Sequence, residues 1–297
     1  MCTLVVMAAG LGSRFGGNKQ VSIVDNDGNF IIDYSVYDAL KAGFNKVIFI
    51  IREEDKKVFE ASIGKRLKNY IDVEYAFQTL EDIPVKEKYD RTKPWGTTHA
   101  IYSVRNILPD KFLIINADDF YGSSSFKKAY DFLSNIHESY HYACISYLAK
   151  NTVNGSETVK RGVLSLDKNI IKSIIESKIS VSNSSALVEP LDGSKTFSIS
   201  ADAPVSMNMF ACTSDLFNII ETDIKEFFTK SKEQIENDEI LLPMTLNNFM
   251  QKGLIKIDNI SSTEEWLGMT YKEDLDFVKE KIEAKRKNGD YPLHLWK

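Results

Sequence analysis

A glycine-rich segment with two basic residues follows the first apolar run of the chain. Residues 8–19 read AAGLGSRFGGNK and come directly after TLVVM, with Arg14 and Lys19 among four glycines. Glycines let a backbone approach a ligand closely and present its N–H groups to an anion, and an arginine can bind phosphate oxygens in a bidentate manner. The segment therefore predicts a polyphosphate-binding turn. A plain tight turn between a strand and a helix is the alternative.

Two common phosphate-binding motifs do not fit this segment. A dinucleotide-binding GxGxxG motif that starts at Gly10 and Gly12 would need its third glycine where Phe15 stands. A P-loop, GxxxxGK followed by Ser or Thr, would need its lysine where Asn18 stands, and Lys19 is followed by glutamine. The segment therefore belongs to neither class.

Two adjacent carboxylates end a later apolar run. In KFLIINADDFYG, Asp118 and Asp119 follow a segment that is typical of a buried strand. Hard oxygen ligands at the carboxyl edge of an α/β sheet suit Mg²⁺ that is bound together with substrate phosphates. We therefore predict Mg²⁺ as the cofactor, with both aspartates as metal ligands. An aspartate that only forms a turn or caps a helix, close to Gly122 and Ser123, is the alternative.

Apolar runs and an amphipathic segment alternate in the part of the chain that carries these motifs. The runs TLVVMA, KVIFII and KFLIIN are nearly continuous, as in strands that are buried on both faces of a mostly parallel sheet. Between the first two, IIDYSVYDALKAGF carries Ile32, Val36, Leu40 and Phe44 at helical spacing, with Gly43 near its end. This βαβ pattern predicts an open α/β sheet with ligands at the carboxyl ends of its strands.

The second half of the chain is less regular. We predict strands in YACISYLA, GVLSLD and VSMNMFAC, a polar excursion in ISVSNSSALVEPLDGSKTFSIS, and a helix in EDLDFVKEKIEAKRKNG that ends before Gly289. No repeat, low-complexity tract or linker separates independent domains. We therefore predict a single domain over residues 1–297, with two halves that divide near residue 125.

Composition excludes several classes of protein. A net charge of -5 argues against a general nucleic-acid binder, which needs basic surface to neutralise phosphates. The cysteines are odd in number and far apart, which predicts neither a disulfide framework nor a zinc site and favours the cytoplasm. No run approaches the ~20 apolar residues of a membrane span, and the apolar N-terminus lacks the basic flank of a signal peptide.

The segment AAGLGSRFGGNK resembles the signature AxGxGxR, followed shortly by a lysine, of the sugar-phosphate nucleotidyltransferases, the NDP-sugar pyrophosphorylases. The resemblance implies a Rossmann-like, three-layer α/β/α fold with an open, mixed and mostly parallel sheet. It implies a nucleotide-binding half over residues 1–125 and an acceptor-binding half, with the C-terminal helix, over 126–297. Arg14 and Lys19 inherit catalytic roles. The nucleotide-binding residues that it implies in this segment are Ala9, Gly10, Gly12 and Ser13.

Two further segments carry the resemblance on the nucleotide side. WGTTHAI is similar to the family's GTxxA segment, which packs against the base, and Gln78 stands where the family often has a base-reading glutamine. The resemblance therefore adds Gln78, Gly96 and Thr97 to the nucleotide site. Without it, Gly96 and Thr97 only open a helix over THAIYSVRNIL, with Thr97 as N-cap. The family's strand that ends in an aspartate matches Asp118 better than Asp119.

The acceptor side is implied by two segments of the second half. RGVLSLDKNIIKSIIESK resembles the family's stretch from a GxV strand to ExK, in which the glutamate binds sugar hydroxyls and the lysine binds the sugar phosphate. Glu176 and Lys178 inherit these roles, and Asn208 in VSMNMFAC is a further candidate for a sugar hydroxyl. Solvated charges at a strand end are the alternative for Glu176 and Lys178.

One position departs from the family. Many members have an aspartate in a WxDxG-like segment, and this chain has Gly268 at that place in WLGMTYKEDL. Three possibilities follow for the metal site. Asp118 and the substrate phosphates hold the metal, Asp119 compensates, or Lys272 supplies charge instead.

The implied reaction joins an NTP to a sugar 1-phosphate and releases pyrophosphate. Its partners are thus an NTP and a small phosphorylated acceptor, without nucleic acid or membrane. Two alternatives stay open. One is a cytidylyltransferase that acts on a phosphorylated alcohol such as phosphocholine, and the other is a nucleotide-binding regulatory module without turnover, which the glycine at position 268 allows.

Overall fold

The computed structural model describes residues 2–10, 23–107, 110–153, 158–268 and 274–296. The strands before residue 125 are β1 (Cys2–Met7), β2 (Lys46–Ile51), β3 (Asp72–Phe77), β4 (Lys111–Asn116) and β5 (Asp119–Phe120). The later strands are β6 (His141–Leu148), β7 (Thr158–Asp167), β8 (Ile170–Val181), β9 (Ser185–Pro190), β10 (Phe197–Ser200), β11 (Pro204–Thr213), β12 (Lys256–Ser261) and β13 (Leu267–Gly268).

Helices connect these strands. They are α1 (Ile31–Ala42), α2 (Thr97–Tyr102), α3 (Ser123–Asn135), α4 (Leu216–Phe227), α5 (Lys232–Asn237), α6 (Leu242–Gln251) and α7 (Asp274–Lys287). Four short helical turns follow β2, at Glu53–Asp55, Lys56–Phe59, Glu60–Gly64 and Lys65–Leu67. None of the helices in the described residues is both long and apolar enough to cross a bilayer.

The first half of the sheet is parallel. Its strands are arranged in the order β3-β2-β1-β4, and every neighbouring pair runs in the same direction. Leu4, Val5 and Val6 of β1 are fully buried, so that successive side chains on opposite faces are both covered. This explains the continuous apolar runs and confirms the three strands that the sequence predicts here.

The two faces of this half pack against different helices. Leu4 and Val6 share a core cluster with Ile32 and Val36 of α1, whereas Val5 shares another with Ile101 of α2. The predicted helix is therefore α1, and it ends where Gly43 adopts φ 117°, a conformation that side chains disfavour. A mixed α/β fold is confirmed. The Rossmann-like three-layer description and the division near residue 125 stay predictions.

The prediction of a mostly parallel sheet is wrong for the second half. β11 runs antiparallel to β4, β6 and β7, while β8 runs antiparallel to β7, β9 and β12. Apart from β6 with β12, the described strands of this half pair antiparallel. The segment predicted as a polar excursion forms the end of β8 together with β9 and β10. In β9 buried Ala186 and Val188 alternate with exposed neighbours, so only one face of this edge is covered.

Two irregularities lie at the carboxyl end of β4. The pairing of β11 with β6 shifts register between Ser206 and Phe210, and Asn208 within the shift has φ 60°. Beside it, β5 and β13 form a two-stranded sheet in which Gly268 pairs with Asp119. A left-handed residue and an interrupted ladder re-aim side chains, which is frequent next to functional sites.

Candidate active site

A cleft of about 210 Å³ opens where β4 ends. Four of the residues that the sequence proposes for the site line it together: Asp118, Asp119, Glu176 and Asn208. Asp118 follows β4 and Asp119 begins β5, whereas Glu176 lies in β8 and Asn208 in the irregular part of β11. The fold therefore brings together groups that the sequence spreads over ninety residues.

The start of the glycine-rich segment lies at the same edge of the sheet. Met7, the last residue of β1, is in register with Asn116 of β4, and the Ala117 amide donates to the carbonyl of Met7 at 3.2 Å. Half-buried Ala9 and exposed Gly10 follow after buried Ala8. Both therefore lie next to the strand end that carries the aspartates. The other predicted residues of this segment, Gly12, Ser13, Arg14 and Lys19, lie outside the described residues.

The two aspartates differ in their surroundings. Asp119 is 5% exposed, and its Oδ2 accepts hydrogen bonds from Asn116 Nδ2 at 2.8 Å and from the Tyr121 hydroxyl at 3.1 Å. Burial, together with the neighbouring charge of Asp118, raises the pKa of Asp119 to about 7. Asp118 is only half-buried. Asp118 thus has the more accessible carboxylate, and Asp119 is held in an internal network.

This donor set fits Mg²⁺, which is usually bound by one or two carboxylates together with substrate phosphates. Both carboxylates line the cleft, and no group of three or more metal-binding side chains is found among the described residues. Gly268 adds no ligand. A Cβ there would stand 2.1 Å from Cη2 of Trp266, so the indole occupies the space that a side chain would need. Lys272 lies outside the described residues.

Glu176 owes its place in the cleft to a glycine on the neighbouring strand. Gly162 of β7 pairs with Glu176 of β8, and a Cβ at Gly162 would stand 2.9 Å from Oε1 of Glu176. Burial raises the pKa of Glu176, while the charges of Arg161 and Lys160 act in the opposite direction. The half-buried carboxylate can accept hydrogen bonds from hydroxyls of a bound ligand, and the Asn208 amide can both donate and accept.

Lys178 is placed differently from Glu176. It is exposed, pairs with Lys160 across β7 and β8, and is not among the residues that line the cleft. Lys160 lines the cleft in its place. The predicted phosphate-binding role of Lys178 stays a prediction.

Arg161 and Trp266 also line the cleft and are not among the site residues proposed from the sequence. Arg161 is 8% exposed, and its guanidinium lies over the ring of Trp266 at 4.4 Å from the centroid. Burial lowers the pKa of Arg161 to about 10, so the group is a cation at neutral pH. A basic residue directly before the glycine of a predicted strand was the available signal. Its meaning depends on Trp266, which is far away in the sequence.

The predicted base-binding residues are in contact with one another. Gln78 follows β3, and its Nε2 donates to the carbonyl of Gly96 at 3.2 Å. Gly96 has φ 109°, and a Cβ there would stand 2.5 Å from the carbonyl oxygen of Ile240, so glycine is required for packing. The alternative in which Thr97 is the N-cap of α2 is wrong in that detail. Gly96 is the N-cap, and Thr97 Oγ1 accepts from the Leu242 amide at 2.8 Å.

The fold is similar to those of two solved structures. The inositol-1-phosphate CTP transferase from T. maritima is 15% identical, with a TM-score of 0.59, and the match covers 94% of this chain and 96% of that one. A putative glucose-1-phosphate thymidylyltransferase from Bacillus anthracis, in complex with a sucrose, is 14% identical with a TM-score of 0.62 and covers 95% of each chain. At these identities the likeness concerns the fold. No curated protein matches the chain.

The sequence itself gives the family. A family model described as nucleotidyl transferase matches residues 4–179, which is more than half of the chain. The match spans the glycine-rich segment, the strand that ends in Asp118, and the β7–β8 hairpin with Glu176. The chain therefore belongs to the nucleotidyl transferase family and is an enzyme of that type.

Proposed function

We propose that the protein couples an NTP to a sugar 1-phosphate, with formation of an NDP-sugar and pyrophosphate in the presence of Mg²⁺. The observation that carries this proposal is that Asp118, Glu176 and Asn208 line one cleft. The cleft lies beside the end of β1, from which the glycine-rich segment continues. We therefore assign this edge of the sheet to the nucleotide phosphates and to a hydroxylated acceptor.

The proposed reaction needs no acid–base group of the protein. A phosphate oxygen of the acceptor attacks the α-phosphorus of the NTP, and a new P–O bond forms as the bond to the β-phosphate oxygen breaks. Pyrophosphate leaves with the electron pair. Because the second pKa of a phosphate monoester is about 6, the attacking oxygen is already ionised at neutral pH, and no general base is required. Alignment and stabilisation of charge therefore provide the catalysis.

The cleft residues divide this work by their chemistry. Glu176 and Asn208 bind and orient acceptor hydroxyls, and Lys160 places positive charge at the same cleft for the acceptor phosphate. Asp118 and Asp119 would hold Mg²⁺, which when bound offsets the negative charge of the phosphates.

The remaining predicted site residues are assigned to the NTP. Arg14 and Lys19 are expected to bind its phosphates. Gln78, Gly96 and Thr97 are proposed to contact its base. The hydrogen bond between Gln78 and Gly96 fixes the glutamine side chain for such a contact. These roles follow the resemblance of their segments to the family.

Pyrophosphate release tests the proposed function. We would cross UTP, CTP, dTTP and GTP with glucose 1-phosphate, inositol 1-phosphate and phosphocholine, each with Mg²⁺ and with EDTA. We expect release that requires one NTP, one sugar phosphate and the metal together. Asp118→Ala serves as the blank, and Asp72→Ala, at an exposed carboxylate on β3, is the matched control. If no combination of substrates releases pyrophosphate while the NTP still binds, a regulatory module is favoured. Unchanged turnover in Asp118→Ala would contradict the assigned site.

A further inference from the structure

Arg161 is a buried cation that neutral groups hold in place at the wall of the cleft. Its Nη1 donates to the carbonyl of Lys160 at 2.7 Å, and its Nη2 donates to the carbonyl of Thr152. Nε is buried without a hydrogen-bond partner among the described residues. No described carboxylate forms an ion pair with it, although Asp119 and Glu176 are near enough to act on it electrostatically. The positive charge is therefore fixed in position, and no carboxylate of the described residues forms a direct ion pair with it.

Among the described residues that line the cleft, Trp266 has the aromatic side chain. The guanidinium of Arg161 lies over its ring. The ring is 4% exposed, and the Arg161 guanidinium lies 4.4 Å from its centroid. Its Nε1 is buried without a partner in the described part of the chain. The absence of a side chain at Gly268 is what gives the ring this space. Arg161 and Trp266 therefore form a fixed pair, which we call the Arg–Trp pair.

This arrangement bears on which phosphorylated acceptors suit the cleft. A quaternary ammonium group is recognised through the open face of an aromatic ring. In this cleft the only such face in the described lining is covered by a cation, and Lys160 adds a second positive charge. A phosphate group is attracted by the same two charges, and hydroxyl groups find partners in Glu176 and Asn208.

On the basis of the proposed function, we infer that the Arg–Trp pair is a specificity determinant that admits anionic, hydroxylated phosphates and excludes phosphocholine. The fixed charge of Arg161 attracts the acceptor phosphate. The guanidinium also covers the face of the Trp266 ring, so that a quaternary ammonium group cannot pack against it. Arg161 and Trp266, which are distant in sequence, thus distinguish a sugar 1-phosphate from phosphocholine as the acceptor. The pair takes no part in bond making or breaking.

Arg161→Gln tests this inference. The variant removes the charge and opens the ring face while it keeps a polar side chain that can reach a carbonyl. We expect the KM for glucose 1-phosphate or inositol 1-phosphate to rise at least tenfold and the KM for the NTP to stay within twofold. Phosphocholine should gain at least tenfold in kcat/KM relative to the sugar phosphate. Arg161→Lys keeps the charge and should still reject phosphocholine.

Arg91→Gln is the matched control. Arg91 is also 8% exposed, lies 4.6 Å from the centroid of Trp95 and donates to main-chain carbonyls, but it does not line the cleft. Its loss should lower the melting temperature without changing the acceptor KM or the order of acceptors. Circular dichroism and melting curves identify variants that fail to fold. Should Arg161→Gln be one of them, Arg161→Lys and the wild type's rejection of phosphocholine decide the question.

The outcomes separate this inference from the proposed function. An unchanged acceptor order in folded Arg161→Gln, or a wild-type enzyme that accepts phosphocholine as well as a sugar phosphate, would overturn the inference while nucleotidyl transfer stands. If no pair of substrates releases pyrophosphate, the proposed function fails. Calorimetric binding of glucose 1-phosphate, inositol 1-phosphate and phosphocholine to wild type and Arg161→Gln then decides, and equal affinities for the two proteins would refute the inference.

Discussion

Replacement of Gly162 by alanine should affect the acceptor site more than the fold. A Cβ at this position would stand 2.9 Å from Oε1 of Glu176, 3.1 Å from Cγ2 of Ile174 and 3.2 Å from Cβ of Ser206. The last two contacts require shifts of a few tenths of an ångström, and the first involves the far end of a flexible side chain. We therefore expect the free energy of unfolding to fall by about 1 kcal/mol, at the lower end of the usual cost of overpacking.

The carboxylate of Glu176 is the group that must move. A hydrogen bond to a charged group contributes about 1.5–3 kcal/mol, and each 1.4 kcal/mol corresponds to about tenfold in a binding constant. Displacement of Glu176 should therefore raise the KM for the sugar phosphate by about 10- to 100-fold. The KM for the NTP should not change, because Gln78, Gly96 and Thr97 belong to segments other than the β7–β8 hairpin.

Steady-state pyrophosphate release at saturating NTP, with the sugar phosphate varied, measures this effect. Glu176→Gln alone and combined with Gly162→Ala provides a double-mutant cycle, and the two effects should be far from additive because both act on one carboxylate. Gly253→Ala is the control for stability, since its cost comes from φ 72° with no atom within 4 Å of the new Cβ. A folded Gly162→Ala variant whose acceptor KM is within twofold of wild type would refute the reasoning.

Three further predictions concern other parts of the molecule. Gly96→Ala should cost at least ~3 kcal/mol in unfolding free energy, because φ is 109° and the rigid backbone of Ile240 lies 2.5 Å from the new Cβ; a thermal melt within 2 °C of wild type would contradict this. Burial raises the pKa of Asp38 to about 8 although the Tyr291 hydroxyl donates to it at 2.7 Å. The neutral form therefore stabilises the fold fully below about pH 4, and this contribution, at most about 6 kcal/mol, is lost as the pH rises through about 8. Wild type should lose more melting temperature between pH 5 and pH 9 than Asp38→Asn, and parallel curves would exclude the assignment. Lys19→Ala should lower turnover at least tenfold with little change in melting temperature, and a large fall in melting temperature would mark Lys19 as structural.

The parts of the fold that could be predicted are those with a local signal. Strands β1, β2 and β4 are buried on both faces, so their apolar runs are continuous and short. Helix α1 carries an apolar stripe and ends at a glycine with positive φ. Strands β9 and β10 gave no such signal, because one face of this edge is exposed and its polar residues resemble those of a loop.

The candidate site shows the same division. Asp118 and Asp119 could be proposed because a strand end in an α/β sheet is itself a local feature, and Glu176 because its segment resembles the family. The sequence could not predict that Asp119 is buried and hydrogen-bonded while Asp118 is more accessible. This difference depends on Tyr121 and on the depth of the cleft. Lys160 lines the cleft and Lys178 does not, although the two are directly paired.

By itself, the sequence determined the family, the parallel half of the sheet and the segments proposed to carry the chemistry, because each depends on residues that are neighbours along the chain. Only the tertiary structure shows why glycine is needed at positions 162 and 268. The side chains of Glu176 and Trp266 occupy the space that a Cβ would need there. The tertiary structure also placed the guanidinium of Arg161 on Trp266. Steric exclusion and electrostatic attraction act through space over a few ångströms, and the order of residues along a chain does not give those distances.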